Sequence, residues 1–229
     1  EVGFTSAAGS TSANKVQCLA GSYCPLKTGA GLDRPCPAGR YSNTRGLTQS
    51  SDCTACDAGS YCLEGATTLS GTCAAGFYCP SSSFLANTNP CPAGKWSGST
   101  SLTAVGECSS ATPGNYVPVI GSSSQTPCPA GTYQSSSSAT ECNTCPAGHK
   151  CVAGTHTPAE CGIGKYSDSG ANVCLDCPKG NYCGKTATTF ADLGLGGIEN
   201  DGLLAGICFA GVLCPSGMTR TPVRATEAC

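Results

Sequence analysis

Four cysteines, Cys18, Cys24, Cys36 and Cys53, recur without a gap as Cys73, Cys79, Cys91 and Cys108, a shift of 55 residues. Pro25 then falls on Pro80, Gly39 on Gly94 and Tyr61 on Tyr116, so the chain repeats itself. The same shift carries Cys56 onto Ala111 and Cys62 onto Val117. Two cysteines have vanished together, and the simplest account is that they are bonded, because losing one alone strands the other as a reactive thiol. Every C-x-x-x-x-x-C motif is then expected to close on itself: Cys18 with Cys24, Cys56 with Cys62, Cys73 with Cys79, Cys145 with Cys151, Cys177 with Cys183, and Cys208 with Cys214. The remaining class closes longer loops: Cys36 with Cys53, Cys91 with Cys108, Cys128 with Cys142, and Cys161 with Cys174. Cys229 is left over. It holds the place that Cys36 and Cys91 hold after their own short pairs, so its expected partner lies outside this chain, in a continuing array or in another molecule.

The 21 cysteines in 229 residues accompany little apolar material. Leu, Ile, Val and Phe make up about a seventh of the chain, below what a globular core needs. With 31 Gly and 11% charged residues, the ordering entropy has to be offset by covalent links rather than by packing. That density of bridges predicts an oxidising compartment, hence an extracellular protein, secreted or at the cell surface. No stretch approaches the roughly 20 apolar residues of a membrane span, so no span is expected in this chain. The N-terminal residues lack the basic flank and apolar run of a signal peptide, which implies a signal already removed. A net charge of −2 and scattered Lys and Arg exclude nucleic acid and anionic lipid as partners.

The string CPAGRYSNTRGLTQSSDCTACDAGSYC, echoed by CPAGTYQSSSSATECNTCPAGHKC, resembles the ephrin-receptor-like (GCC2/GCC3) cysteine-rich repeats, relatives of the growth-factor-receptor cysteine-rich fold. The resemblance runs from Cys18 onward. It implies structure more than activity, and a place among the surface and filament glycoproteins of protists or the EGF-like ectodomains of animal receptors. In that family the CPAG-type cysteine bonds the next one along, in agreement with Cys36 to Cys53.

The expected fold is one of small disulfide-rich repeats: short β-hairpins and turns, little helix, and an elongated rod whose modules contact mainly their neighbours. Its parts are an N-terminal tail or arm (1–17), repeats at 18–72, 73–127 (lacking one bridge and more flexible there), 128–160 and 161–207, and the start of another at 208–229. Tyr41, Trp96, Tyr133 and Tyr166 follow a loop-opening cysteine at a fixed offset, while Tyr23, Tyr61, Tyr78, Tyr116 and Tyr182 sit near the end of the shorter motif. Rings that repeat with the scaffold are expected to cover a disulfide and the joint to the next module rather than to form a ligand ladder. An apolar insertion at 184–207 concentrates Leu193, Leu195, Ile198, Leu203, Leu204 and Ile207, which either fold onto their own module or form an intersubunit contact.

Chemistry-bearing patterns are sparse. There is no Ser, His and acid constellation, so no enzyme and no cofactor is expected. The C-x-x-C steps at Cys53, Cys142 and Cys174 have zinc spacing, but a metal site would lose its ligands as that unit, whereas Cys108 survives the loss at Ala111 and Val117. His149 and His156 read as surface residues, and Glu199, Asn200 and Asp201 as a turn rather than a calcium loop. No N-x-S/T sequon occurs, and only Asn172 and Asn181 have the poorer N-x-C form. Glycans are therefore expected to be O-linked, on Ser81, Ser82, Ser83, Ser122, Ser123, Ser124, Ser135, Ser136, Ser137 and Ser138. The functional expectation is a structural subunit of an extracellular glycoprotein fibre, coat or appendage. Its partners would be copies of itself in a homopolymer or other extracellular proteins. The alternative is a ligand-binding or adhesive ectodomain of a cell-surface receptor.

Overall fold

The structure is a computed structural model that describes residues 4–5, 16–25, 33–179, 181–184, 186–193, 205–207 and 216. The chain divides into two compact units, Glu1–Ser110 with Val119–Gln125, and Ala111–Pro118 with Thr126–Cys229.

Both units are built from one local pattern, C-x-x-G-x-Y-z, in which z is Cys, Ser, Gln or Val, with Ala111 standing in for the Cys once and Trp96 and Lys150 for the Tyr. Copies begin at Cys18, Cys36, Cys56, Cys73, Cys91, Ala111, Cys128, Cys145, Cys161 and Cys177. The two residues after the Gly form one strand, and the two residues before the next copy form its antiparallel partner. Thus Ser22–Tyr23 pairs with Arg34–Pro35, Arg40–Tyr41 with Thr54–Ala55, and Ser60–Tyr61 with Gly71–Thr72. The series continues through Lys165–Tyr166 with Leu175–Asp176, and ends with Asn181–Cys183 on Ala205–Ile207. First strands therefore open every 16 to 20 residues, and the 55-residue self-match from Ser22 to Phe77 spans three such modules. A two-residue strand with glycine before it and a turn after it cannot lengthen, and a lone hairpin of this size is marginal in water.

Covalent bridges supply what the strands lack. Among the described residues nine disulfides join Cys18–Cys24, Cys36–Cys53, Cys56–Cys62, Cys73–Cys79, Cys91–Cys108, Cys128–Cys142, Cys145–Cys151, Cys161–Cys174 and Cys177–Cys183, with Cα atoms 5.6 to 6.1 Å apart. All of these cysteines except Cys142 and Cys174 are buried, and they make up most of the buried apolar residues. Each core is a line of sulfur bridges with Leu102, Ala111, Val117 and Leu193 beside it. Helix among the described residues is limited to the turn Phe190–Leu193 and the 3₁₀ turns Ser50–Asp52 and Val105–Glu107. This is a fold of small disulfide-rich hairpin repeats.

The N-terminal stretch expected to be a tail contains a strand pair of its own. Phe4–Thr5 pairs with Val16–Gln17 in the register of the other modules, immediately ahead of Cys18.

Candidate functional site: the joint between modules

The feature repeated at fixed positions is the joint from one module to the next. Between the Cys36 and Cys56 modules, the Gly39 N–H donates to Cys62 O at 2.8 Å, and the Cys56 N–H donates back to Gly39 O at 3.0 Å. The Gly65 N–H reaches Cys36 O at 2.9 Å, and the Ser42 N–H reaches Ala66 O at 3.1 Å. The same four backbone bonds recur between the Cys56 and Cys73 modules through Gly59, Cys73, Ser82 and Cys62. In the second unit they join the Ala111 module to the Cys128 module through Gly114, Cys128, Ser138 and Val117, and continue to the Cys177 module. Main-chain groups make every one of these bonds, so side-chain identity on the exposed faces does not enter.

Two residues per module make the joint possible. The motif glycine has φ between +79° and +86° at every described copy, a region that L residues rarely occupy. At Gly76 an added Cβ would stand 2.2 Å from the carbonyl oxygen of Gly121, two modules further along. The second residue is the turn residue that donates back to the first position of the preceding module. It is also left-handed, yet in four modules it is Ser82, Ser101, Ser138 or Ala187 rather than glycine. Sequence reasoning missed both roles. The glycine was available as the fixed fourth position of ten motif copies, whereas nothing in a Ser or Ala announces a positive φ.

The aromatic position supports the joint from the side. Half-buried Tyr78 packs against Cys91, Leu102 and Cys108 of the following module, and Tyr166 against Cys177, Cys183 and Leu193. Phe190 stands with its ring centroid 6.2 Å from that of Tyr166. Of the two readings open for the insertion, Leu193 takes the first and folds onto its own module. At 4% exposure it has no surface to offer a partner. Leu195, Ile198, Leu203, Leu204 and the side chain of Ile207 lie outside the described residues, as do Cys208, Cys214, Cys229, Glu199, Asn200 and Asp201.

Where the seventh position is not Cys, other groups fill it. Ser42, Ser97, Gln134 and Ser167 are all buried. The Ser42 and Ser97 hydroxyls accept from the Thr44 and Ser99 amides, Gln134 Oε1 accepts from the Ser136 amide, and the Ser167 hydroxyl donates to His149 O at 2.7 Å. In those modules the first cysteine reaches across the hairpin loop instead, and Arg40 Nη1 holds one such closure by donating to Cys53 O at 2.7 Å. At the place of the lost bridge, Ala111 and Val117 are 0% and 1% exposed. An apolar pair fills the site of a disulfide, and the joint bonds around it remain.

The long loops of the Cys36 and Cys91 modules share an acidic clasp. The Thr48 amide donates to Asp52 Oδ2 at 3.0 Å and the Gln49 side chain to Oδ1 at 3.0 Å, with the Thr48 hydroxyl also on Oδ2. Glu107 is held in the same way by the Thr103 hydroxyl and amide. The Thr48 amide, then the Gln49 side chain and the Thr48 hydroxyl, draw the Asp52 carboxyl below its ordinary range, and the Thr103 hydroxyl leads the same effect on Glu107. A depressed folded pKa gives stability that is complete above the unfolded value and is lost as pH falls through the folded one. Protection of the Thr48 and Thr103 amides, taken relative to their intrinsic exchange at each pH, is accordingly expected to fall once pH drops below about 4, with the paired strands of the same hairpins unaffected. In D52A the first loop exchanges fast at every pH and the second keeps its transition, which NMR exchange measurements check.

Of the glycan candidates, Ser81, Ser82, Ser123, Ser124 and Ser135 to Ser138 are exposed and Ser122 is half-buried. Ser83 is corrected: it is buried at 7% exposure and its hydroxyl donates to Pro80 O at 2.7 Å, so it cannot accept a sugar. His156 is exposed, and His149 Nδ1 lies 3.2 Å from Ala147 O in its own turn. Among the described residues one cluster has metal-ligand types close together, Cys18, Cys24 and Asp33, but its two sulfurs are bonded to each other and offer no thiolate. Among the described residues no helix is long and apolar enough to cross a membrane.

These features define a cysteine-rich protein of stapled hairpin modules joined through their backbones. The chain matches no protein-family model and no curated protein.

Proposed function

We propose that this chain is a structural subunit of an extracellular fibre, coat or appendage, and that it works as a scaffold rather than as a catalyst. The observation that carries this reading is the joint: four main-chain hydrogen bonds repeated from module to module, a connection that any further module with the same backbone can extend. The motif keeps Gly in every copy, Cys in all but the Ala111 copy and an aromatic in all but the copy with Lys150, which build turns, staples and covers. The nine bridges support secretion into an oxidising space. We keep the ephrin-receptor-like repeats as the proposed kinship, on the motifs quoted above. O-linked glycans are proposed on the exposed serines at 81–82, 123–124 and 135–138, with Ser122 at their margin.

Electron microscopy of the native, unreduced protein tests the assignment together with sedimentation over a range of concentrations. Assemblies whose mass grows with concentration are the expected result. Monodisperse single chains at every concentration would remove the structural reading in favour of an ectodomain that presents a ligand site.

A further inference from the structure

We propose that the Ala111 module is a built-in yield point: it opens locally before the bridged modules do, and so releases chain length while they stay folded. This goes beyond a structural role and does not depend on assembly.

The disulfide map sets the argument. Every other described module that opens on the motif has its first cysteine bonded, either to its own seventh residue or across its loop. Opening such a module leaves a closed covalent ring, so the opened chain gains little freedom. The Ala111 module has no ring. From Cys108 to Cys128 the chain runs through no bridge, whereas the runs Cys24 to Cys36, Cys62 to Cys73, Cys79 to Cys91 and Cys151 to Cys161 are about half as long; the run from Cys183 to Cys208 is longer, but it belongs to a module whose own short ring is closed.

The folded state gives no compensating advantage that the others lack. Ala111 and Val117 fill the place of the sulfurs and are fully buried, and the module makes the same four bonds to the Cys128 module as its stapled counterparts make to theirs. Its loop carries Val119 and Ile120 at 61% and 64% exposure, so neither adds burial. The difference between this module and its neighbours therefore lies in the opened state. Removing a ring of about seven residues from that state raises its population roughly 50-fold.

Native-state hydrogen exchange on the full oxidised chain tests the proposal. The joint amides of Gly114, Val117, Cys128 and Ser138 should exchange roughly 50-fold faster than the equivalent amides of Gly59, Cys62, Cys73 and Ser82. Equal protection of the two sets overturns it. In A111C/V117C, once non-reducing mass spectrometry shows the new bridge, the four fast amides should fall into line with the rest. Unchanged exchange in the bridged variant also overturns the proposal, because the difference would then come from something other than the missing ring. C56A/C62V should create a second fast set at Gly59, Cys62, Cys73 and Ser82. If either variant fails to fold, the comparison within the unaltered chain still decides.

Discussion

Complete reduction is expected to unfold this protein without any denaturant. Each short bridge removes chain entropy from the unfolded state worth roughly 2 to 3 kcal/mol, and nine of them together exceed the 5 to 15 kcal/mol net stability of an ordinary domain even if they add imperfectly. The folded state has nothing with which to offset their loss. Apart from the bridged cysteines, the buried apolar residues described are Leu102, Ala111, Val117 and Leu193, and the strands are two or three residues long. Trp96, the single tryptophan, is the natural reporter, because its Nε1 is buried in the folded chain. Its emission should shift to the red in step with the appearance of free thiols, while the oxidised protein keeps its spectrum under the same conditions. A fully reduced chain that retained native emission and circular dichroism would show that the joints alone hold the fold.

Gly76→Ala is expected to be among the most damaging single substitutions that leave every bridge intact, together with Gly148→Ala, whose added Cβ would stand 2.2 Å from Ala187 O. At Gly76 the new side chain would be forced into the left-handed region, at about 1 to 2 kcal/mol. It would also stand 2.2 Å from Gly121 O and 2.7 Å from Gly121 C, backbone atoms with no flexible end to give way. Relief requires the Gly121 turn to draw away from Gly76, which strains the Cys91 module to which both are bonded, Gly76 through Ser97 O and the Cys91 N–H, and Gly121 through Cys91 O. Together these should lower stability by about 3 kcal/mol or more, read as a shift in denaturant midpoint of the oxidised protein. Gly106→Ala is the control. Nothing lies within 4 Å of its added Cβ and its φ is not positive, so its effect should stay within about 0.5 kcal/mol. Equal effects at the two sites would mean that the close approach at Gly76 does not limit the joint.

What could be read from the residues was what side chains announce. A bond between Cys56 and Cys62 leaves a trace when both disappear at Ala111 and Val117, and a Tyr at a fixed offset from a cysteine marks a ring that covers it. The joint leaves no such trace, since its donors and acceptors are main-chain groups that every residue owns. The self-match over 55 residues hid the smaller period for a related reason. Modules with a short bridge and modules with a long one look different in their cysteines and are alike in their backbones, so the sequence returned to itself only when the order of bridge types did. Ser83 was misread, and the two readings of Leu193 could not be separated, because burial of a single residue in a loop depends on which neighbour folds over it.

Making each connection from the backbone changes how such a protein can vary over time. The run of residues between paired strands is longer after Tyr41 than after Lys150, and the four bonds that follow are the same in both places. Loop insertions and surface substitutions are therefore absorbed where they occur. Whole modules are the units that can be gained or lost without disturbing the register of the rest. A block of three copied as one piece would leave the self-similarity with which Cys18 and Cys73 begin, and a lineage could lengthen or shorten this protein by counting modules rather than by redesigning a core.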